Sequence, residues 1–201
     1  MKNIEFEFLD DNIAYFRNAI EDPDLILQYL EDTDTLSDVN NIISKWIPWQ
    51  AHGEDYTYGI RKKINADNIN ITNLKISYIV NSIHSAMINV GKMYAEFKNL
   101  NENPNVSKSF VINKYDTGIE MGPHVDWNEN NPNLQYSYVV YLNDNYKGGE
   151  IHFTNQDIII KPEAGSIVLF PSTEPYEHRV LPIIEGNKYY IPHSWIKNGI
   201  M

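Results

Sequence analysis

The chain has 201 residues, 42% hydrophobic, 12% aromatic and 21% charged, which suits a folded unit with a substantial core rather than a disordered chain. It contains no cysteine, so disulfides, cysteine-ligated zinc, iron–sulfur clusters and thiol catalysis are excluded, and any metal must be held by nitrogen and oxygen. The formal net charge of −11 repels phosphate backbones and argues against nucleic acid as a partner.

A basic polypeptide would instead be attracted, although solubility is the plainer use of such a charge. The opening Met1-Lys2-Asn3-Ile4-Glu5-Phe6 lacks the apolar run of a signal peptide. No stretch is long enough for a membrane span, so a cytoplasmic protein without membrane contact is expected. Ile4, Phe6 and Phe8 alternate as one face of a strand, and residues 13–16 read as a second. Asp22-Pro23 opens a short helix: an N-cap aspartate, proline at the first helical position, then Leu25, Ile26, Tyr29 and Leu30 at helical spacing. The strongest helix covers about residues 73–99, where Ile76, Ile79, Val80, Ile83, Met87, Val90, Tyr94 and Phe97 form one apolar stripe. His84 lies beside that stripe and reads as a packing residue.

From Lys108 the period shortens. Residues 109–115, 136–142, 150–153, 158–160, 166–170, 178–181 and 188–191 read as strands, separated by turn signals such as Asn143-Asp144-Asn145, Gly148-Gly149 and Glu185-Gly186-Asn187. Seven or eight short strands with such turns imply a sandwich or barrel. The expectation is a single α+β domain over residues 1–201, with a helical support region to about residue 105 and a jelly-roll β core from about 106.

Within that core His124 and Asp126 form a His-x-Asp pair, which on a strand would project from one face. His178 follows 52 residues after Asp126, on a strand distant in sequence that can be adjacent in space. Two imidazoles and one carboxylate on one face of a metal leave the opposite positions open, the arrangement of non-haem Fe(II) oxygenases. Lys188, on the returning strand, is spaced to hold an anionic co-substrate; a buried ammonium would be costly without such a partner. His-x-Asp alone is common, and the ordered set of four is the informative signal.

The order of motifs resembles the prolyl 4-hydroxylase family of Fe(II)- and 2-oxoglutarate-dependent dioxygenases. Tyr115-Asp116-Thr117-Gly118 followed by Pro123-His124-Val125-Asp126 is similar to the family's metal-binding segment. Tyr141-Leu142-Asn143-Asp144, Gly148-Gly149-Glu150, Pro162, Gly165 and Phe170-Pro171 follow in the family's order, closed by His178-Arg179-Val180 and Gly186-Asn187-Lys188. The likeness covers about residues 108–196 and implies a double-stranded β-helix core with supporting N-terminal helices. It implies that His124, Asp126 and His178 bind Fe(II), that Lys188 pairs with the distal carboxylate of 2-oxoglutarate, that Tyr141 hydrogen-bonds the same carboxylate, and that Tyr115 stands at the rim of that pocket. It further implies O2 as second co-substrate, ascorbate as a candidate accessory cofactor, release of succinate and CO2, and a proline-containing polypeptide as substrate. The carboxylate of Asp126 favours hydroxylation over halogenation.

The sequence also departs from the family. Met121 stands where a tyrosine is common. Trp195 lies slightly farther from Lys188 than the family's substrate-side tryptophan, and a bulge at Pro192 would restore its parity. Trp127 should point away from Asp126, capping the mouth or packing on its loop, and residues 128–133 read as a substrate loop. With Ile151 and Phe153 inward, His152 faces out and is no ligand. Three rivals remain: a non-catalytic jelly-roll binding module, an oxygenase acting on a free amino acid or other small molecule, and a zinc hydrolase, which Lys188 and the lack of a nearby glutamate base disfavour.

Overall fold

Apolar alternation near the start of the chain does form strands, and two more precede the long helix. The computed structural model describes residues 3–32, 42–50 and 57–197. Its first half holds β1 (Glu5–Phe8), β2 (Ala14–Arg17), α1 (Pro23–Asp32), β3 (Ile47–Gln50), β4 (Thr57–Ile64) and α2 (Leu74–Phe97). Its second half holds β5 (Phe110–Tyr115), β6 (Met121–His124), β7 (Leu134–Tyr141), β8 (Lys147–Gly148), β9 (Ile151–Phe153), β10 (Ile158–Ile160), β11 (Ile167–Pro171), β12 (His178–Val180), β13 (Ile183–Glu185) and β14 (Lys188–Ile196). The supporting helices are α1 and α2, strands β1 and β2 fall where strands were expected, and β3 and β4, which were not expected, extend the core at its other edge.

The larger sheet has eight strands in the order β1-β2-β11-β7-β14-β5-β4-β3, and a four-stranded sheet, β10-β9-β12-β6, stands beside a separate β13-β8 pair. The architecture is α+β with the double-stranded β core expected of a jelly roll. Alternation on the central strands divides the interior in two. Val140, Ile167, Leu169 and Ile191 join α1 and α2 in one apolar cluster. Val139, Tyr141, Val168, Phe170 and Tyr190 join Ile151 and Phe153 of the smaller sheet in the other.

Helix α2 anchors the first cluster. The Asn73 side chain caps it, accepting from the backbone N–H groups of Lys75 at 3.0 Å and Ile76 at 3.2 Å. Its stripe is buried from Ile76 to Tyr94, whereas Phe97 is exposed and stacks on Phe8. Gly91 faces the sheet because nothing larger fits: an added Cβ would lie 2.3 Å from the Tyr138 hydroxyl and 2.6 Å from Pro104. His84 bonds the Val106 carbonyl through Nε2 at 3.1 Å, in keeping with a packing role. Among the described residues no helix is long and apolar enough to cross a membrane.

Candidate metal centre

The three expected ligands converge. His124 ends β6 and His178 begins β12, and the two are direct cross-strand partners. Their ring centroids lie 4.4 Å apart. Asp126 lies in the bend after β6 rather than on the strand, yet it turns back toward both rings. Its Oδ1 is 3.6 Å from His124 Nε2 and its Oδ2 is 3.9 Å from His178 Nε2. All three donor atoms lie within 4.8 Å of one another, and this is the only such group of metal-ligating side chains among the described residues.

The tautomers are set by the backbone. His124 Nδ1 meets the Gly122 carbonyl at 2.9 Å and His178 Nδ1 meets the Tyr176 carbonyl at 3.2 Å, so each Nδ1 carries the proton and each Nε2 lone pair faces the centre. Burial lowers the pKa of His178, the enclosed member, which keeps that imidazole neutral as a ligand must be. Burial also opposes protonation of His124, but hydrogen bonds to Asp126 and Gly122 outweigh it and its pKa is raised. For Asp126 burial favours the neutral acid; the bond to His124, the field of His178 and the Ser137 hydroxyl overcome it, and the carboxylate is held below its usual range. Phe153 and Phe170 pack around the His178 ring and keep water from that side.

A cavity of about 810 Å³ opens from these ligands and runs between the sheets. Lys188, 1% exposed, reaches into it from β14, donating from Nζ to the Gly149 carbonyl at 2.6 Å. The ammonium lies 5.0 Å from the Tyr141 ring centroid and 5.3 Å from that of Tyr190. Burial pushes its pKa down to about 7, with only the field of Glu150 opposing. The Tyr141 hydroxyl is buried beside it and has no hydrogen-bond partner. A buried cation next to an idle hydroxyl donor is a fit for a carboxylate.

The other expected residues divide. Tyr115 is fully buried behind Tyr190, whose hydroxyl donates to it at 2.7 Å, and it lines no part of the cavity. Met121, in place of the family's tyrosine, lies in the wall with its sulfur 4.0 Å from the Tyr115 hydroxyl. Trp127 lies outside the cavity lining and packs on its own loop, its indole N–H donating to the Pro132 carbonyl at 3.4 Å, while Asn128 and Asn131 line the cavity. Trp195 is corrected outright. Register runs unbroken through Pro192, so no bulge restores its parity, and the ring is buried against Tyr136 in the helix-side cluster, on the far face of the sheet. His152 faces away from the interior, as expected, and its Nδ1 accepts from Arg179 Nε at 3.2 Å. The sequence reading missed Trp49, Arg61, Asn113 and Tyr190, all of which line the cavity.

Comparison with known proteins agrees with this geometry. Residues 110–197 match the family described as the 2OG-Fe(II) oxygenase superfamily. The likeness to that superfamily is carried by this segment, less than half of the chain. The matched segment contains the triad, Lys188 and Tyr141 together. A PKHD-type hydroxylase from Rippkaea orientalis is 32% identical over 103 residues, covering 45% of this chain and 43% of that protein, so the match spans less than half of the curated relative. Among solved structures, a Pseudomonas putida prolyl-4-hydroxylase is 16% identical with a TM-score of 0.61, covering 94% of each chain. A Trichoplax adhaerens prolyl hydroxylase in complex with a hypoxia inducible factor peptide fragment is 16% identical with a TM-score of 0.64, covering 93% of this chain and 84% of that one. At these identities the likeness is one of fold.

Proposed function

We propose that the protein is an Fe(II)- and 2-oxoglutarate-dependent dioxygenase that hydroxylates a prolyl residue in a polypeptide. The observation that carries the oxygenase reading is the convergence of two imidazole Nε2 atoms and one carboxylate, with a buried cation and an idle tyrosine hydroxyl in the adjoining cavity. An all-nitrogen-and-oxygen donor set with an open side suits Fe(II). With 2-oxoglutarate and O2, bound iron supplies the oxidising power to convert a C–H bond to C–OH, with release of succinate and CO2.

The chain's own groups hold, orient and exclude. The Gly122 and Tyr176 carbonyls fix a proton at each Nδ1, so Nε2 is the ligating atom of both imidazoles. Ser137 lies close enough to Asp126 to steady its carboxylate. The Lys188 ammonium and the Tyr141 hydroxyl receive the far carboxylate of the co-substrate, which supplies the counter-charge that Lys188 lacks. Ile151, Phe153 and Phe170 keep water from that end.

The prolyl substrate is supported by the fold shared with the two prolyl hydroxylases and by the ordered motifs of the β core. The net charge of −11 favours encounter with a basic chain. A succinate-release assay with Fe(II) and 2-oxoglutarate, run across proline-containing peptides and read by mass spectrometry for a gain of one oxygen, is the test. Faster oxidation of free proline or another small molecule than of any peptide would replace the polypeptide reading with the amino-acid one.

A further inference from the structure

Four residues missed by the sequence reading share a feature: they continue the cavity beyond the metal and Lys188. Cross-strand register aligns Tyr141 of β7 with Tyr190 of β14, Tyr190 with Asn113 of β5, and Asn113 with Arg61 of β4. Directly opposed residues point to one face of a sheet, so these side chains form a transverse row. With strands ~4.8 Å apart, the row places Arg61 roughly 14 Å from Tyr141, measured along the sheet. Both Arg61 and Asn113 line the cavity.

The outer half of this row has unmet hydrogen-bonding capacity. The Nε of Arg61 is buried without an acceptor, and the Oδ1 of Asn113, a residue 1% exposed, is buried without a donor. Arg61 is held over the Trp49 ring with its Cζ 5.1 Å from the centroid, which orients the guanidinium but gives its Nε no acceptor. No carboxylate of the described residues pairs with it. Desolvation lowers its pKa, with only the fields of Tyr190 and Tyr115 opposing. Lys63, on the same face two residues along β4, adds a second positive charge. Asp126, committed to the metal, is the one carboxylate in the lining among the described residues. The cavity is therefore cationic inside an acidic molecule.

A half-buried guanidinium with its Nε enclosed, beside a buried amide acceptor, is complementary to a carboxylate adjoining an N–H group. We propose that Arg61 and Asn113 form the specificity subsite of the oxidised substrate, Arg61 holding a substrate carboxylate and Asn113 accepting from a neighbouring N–H. Resting on the oxygenase reading, this deepens it by naming the substrate chemistry. The carboxylate has two sources, an acidic side chain beside the target residue in a peptide or the α-carboxylate of a free amino acid. Neither conflicts with long-range attraction to a basic chain, because the subsite acts only at contact.

The experiment is an anaerobic calorimetric titration of the full chain loaded with Fe(II) and 2-oxoglutarate. One pair of probes is a prolyl peptide with aspartate beside the proline and the same peptide with asparagine; the other is proline and prolinamide. In one pair at least, the wild type should bind the acid roughly tenfold to a hundredfold more tightly than the amide, the range expected of a charge-assisted pair. The pair that shows it identifies the source. Arg61→Gln should bring that ratio to about one, and Arg61→Lys, which keeps the charge but not the fork, should leave an intermediate ratio. If Arg61→Gln does not fold, the reduced ratio in Arg61→Lys carries the test. Equal binding of acid and amide by the wild type in both pairs, or an unchanged ratio in the variants, overturns the subsite. So does a loss of 2-oxoglutarate affinity in Arg61→Gln with the acid preference intact, which would make Arg61 a co-substrate residue. Succinate release is measured separately: its absence with every probe, alongside an Arg61-dependent acid preference, would sink the oxygenase reading and leave the subsite standing.

Discussion

Lys188 is an ammonium that water cannot reach, and its proton is loosely held for that reason. Its pKa falls from 10.5 to about 7 in the folded chain through burial, with Glu150 the only charge opposing and Tyr141 and Tyr190 offering ring faces. Between these values the unfolded chain binds a proton that the folded one has released, so this group makes folding stability rise with pH from about 7 toward 10.5. A dicarboxylate reverses the preference by favouring the charged lysine. Affinity for 2-oxoglutarate should therefore weaken above about pH 7, by at most roughly tenfold per pH unit. Lys188→Arg, charged throughout, should flatten that slope, and titration of 2-oxoglutarate from pH 6.5 to 9 reads the difference; an equal slope in both proteins would place the titrating group elsewhere. At the metal, His124→Ala, Asp126→Ala and His178→Ala should each abolish Fe(II) binding and succinate release. Thermal melting of the metal-free forms separates lost ligation from lost folding. Retained turnover in one variant would remove that residue from the ligand set.

At the scale of elements, the best-resolved dependence is the seat of α2 on the large sheet. Alanine is ordinarily better than glycine in a helix by about 1 kcal/mol, but at Gly91 the added Cβ would sit 2.3 Å from the Tyr138 hydroxyl and 2.6 Å from Pro104. Overpacking of this kind costs about 1–3 kcal/mol, so Gly91→Ala should lower the urea midpoint despite its better propensity. Asn73→Ala, which removes the N-cap, should cost about 1 kcal/mol by the same measure. A Gly91→Ala protein as stable as wild type would mean that the helix can move off the sheet cheaply. That helix was legible from its 3.6-residue stripe, and the β-core strands from their apolar runs and turns. Strand β4 was hidden because the run Arg61-Lys62-Lys63 interrupts it: Arg61 and Lys63 face the cavity, while Lys62 is fully buried between Ile60 and Ile64 on the other side with its ammonium 5.2 Å from the Trp46 ring centroid. No alternation survives such a pattern, and Arg61 was missed with its strand. The triad was legible because its ligands and Lys188 are ordered along few elements. Trp195 failed for the converse reason, since its face depends on register through Pro192, which spacing alone does not reveal.

The whole molecule sets two fields of opposite sign against each other. A net charge of −11 acts at a distance, whereas the cationic cavity acts only on a group already inside it. Salt separates the two, because the Debye length shrinks from ~10 Å at 0.1 M to ~3 Å at 1 M while contacts in a buried pocket are screened far less. A basic prolyl peptide should lose apparent affinity over that range through a slower association rate, and a neutral peptide should hardly change. An acidic peptide should associate faster as repulsion from the surface is screened, yet its dissociation rate, governed by Arg61 at contact, should move little. Stopped-flow binding of the three peptides at both salt concentrations reads the rates separately. If all three respond alike, the surface charge has no part in substrate encounter and serves solubility. If the acidic peptide instead dissociates much faster at 1 M salt, its carboxylate is held at the exposed rim and not against Arg61 within the cavity.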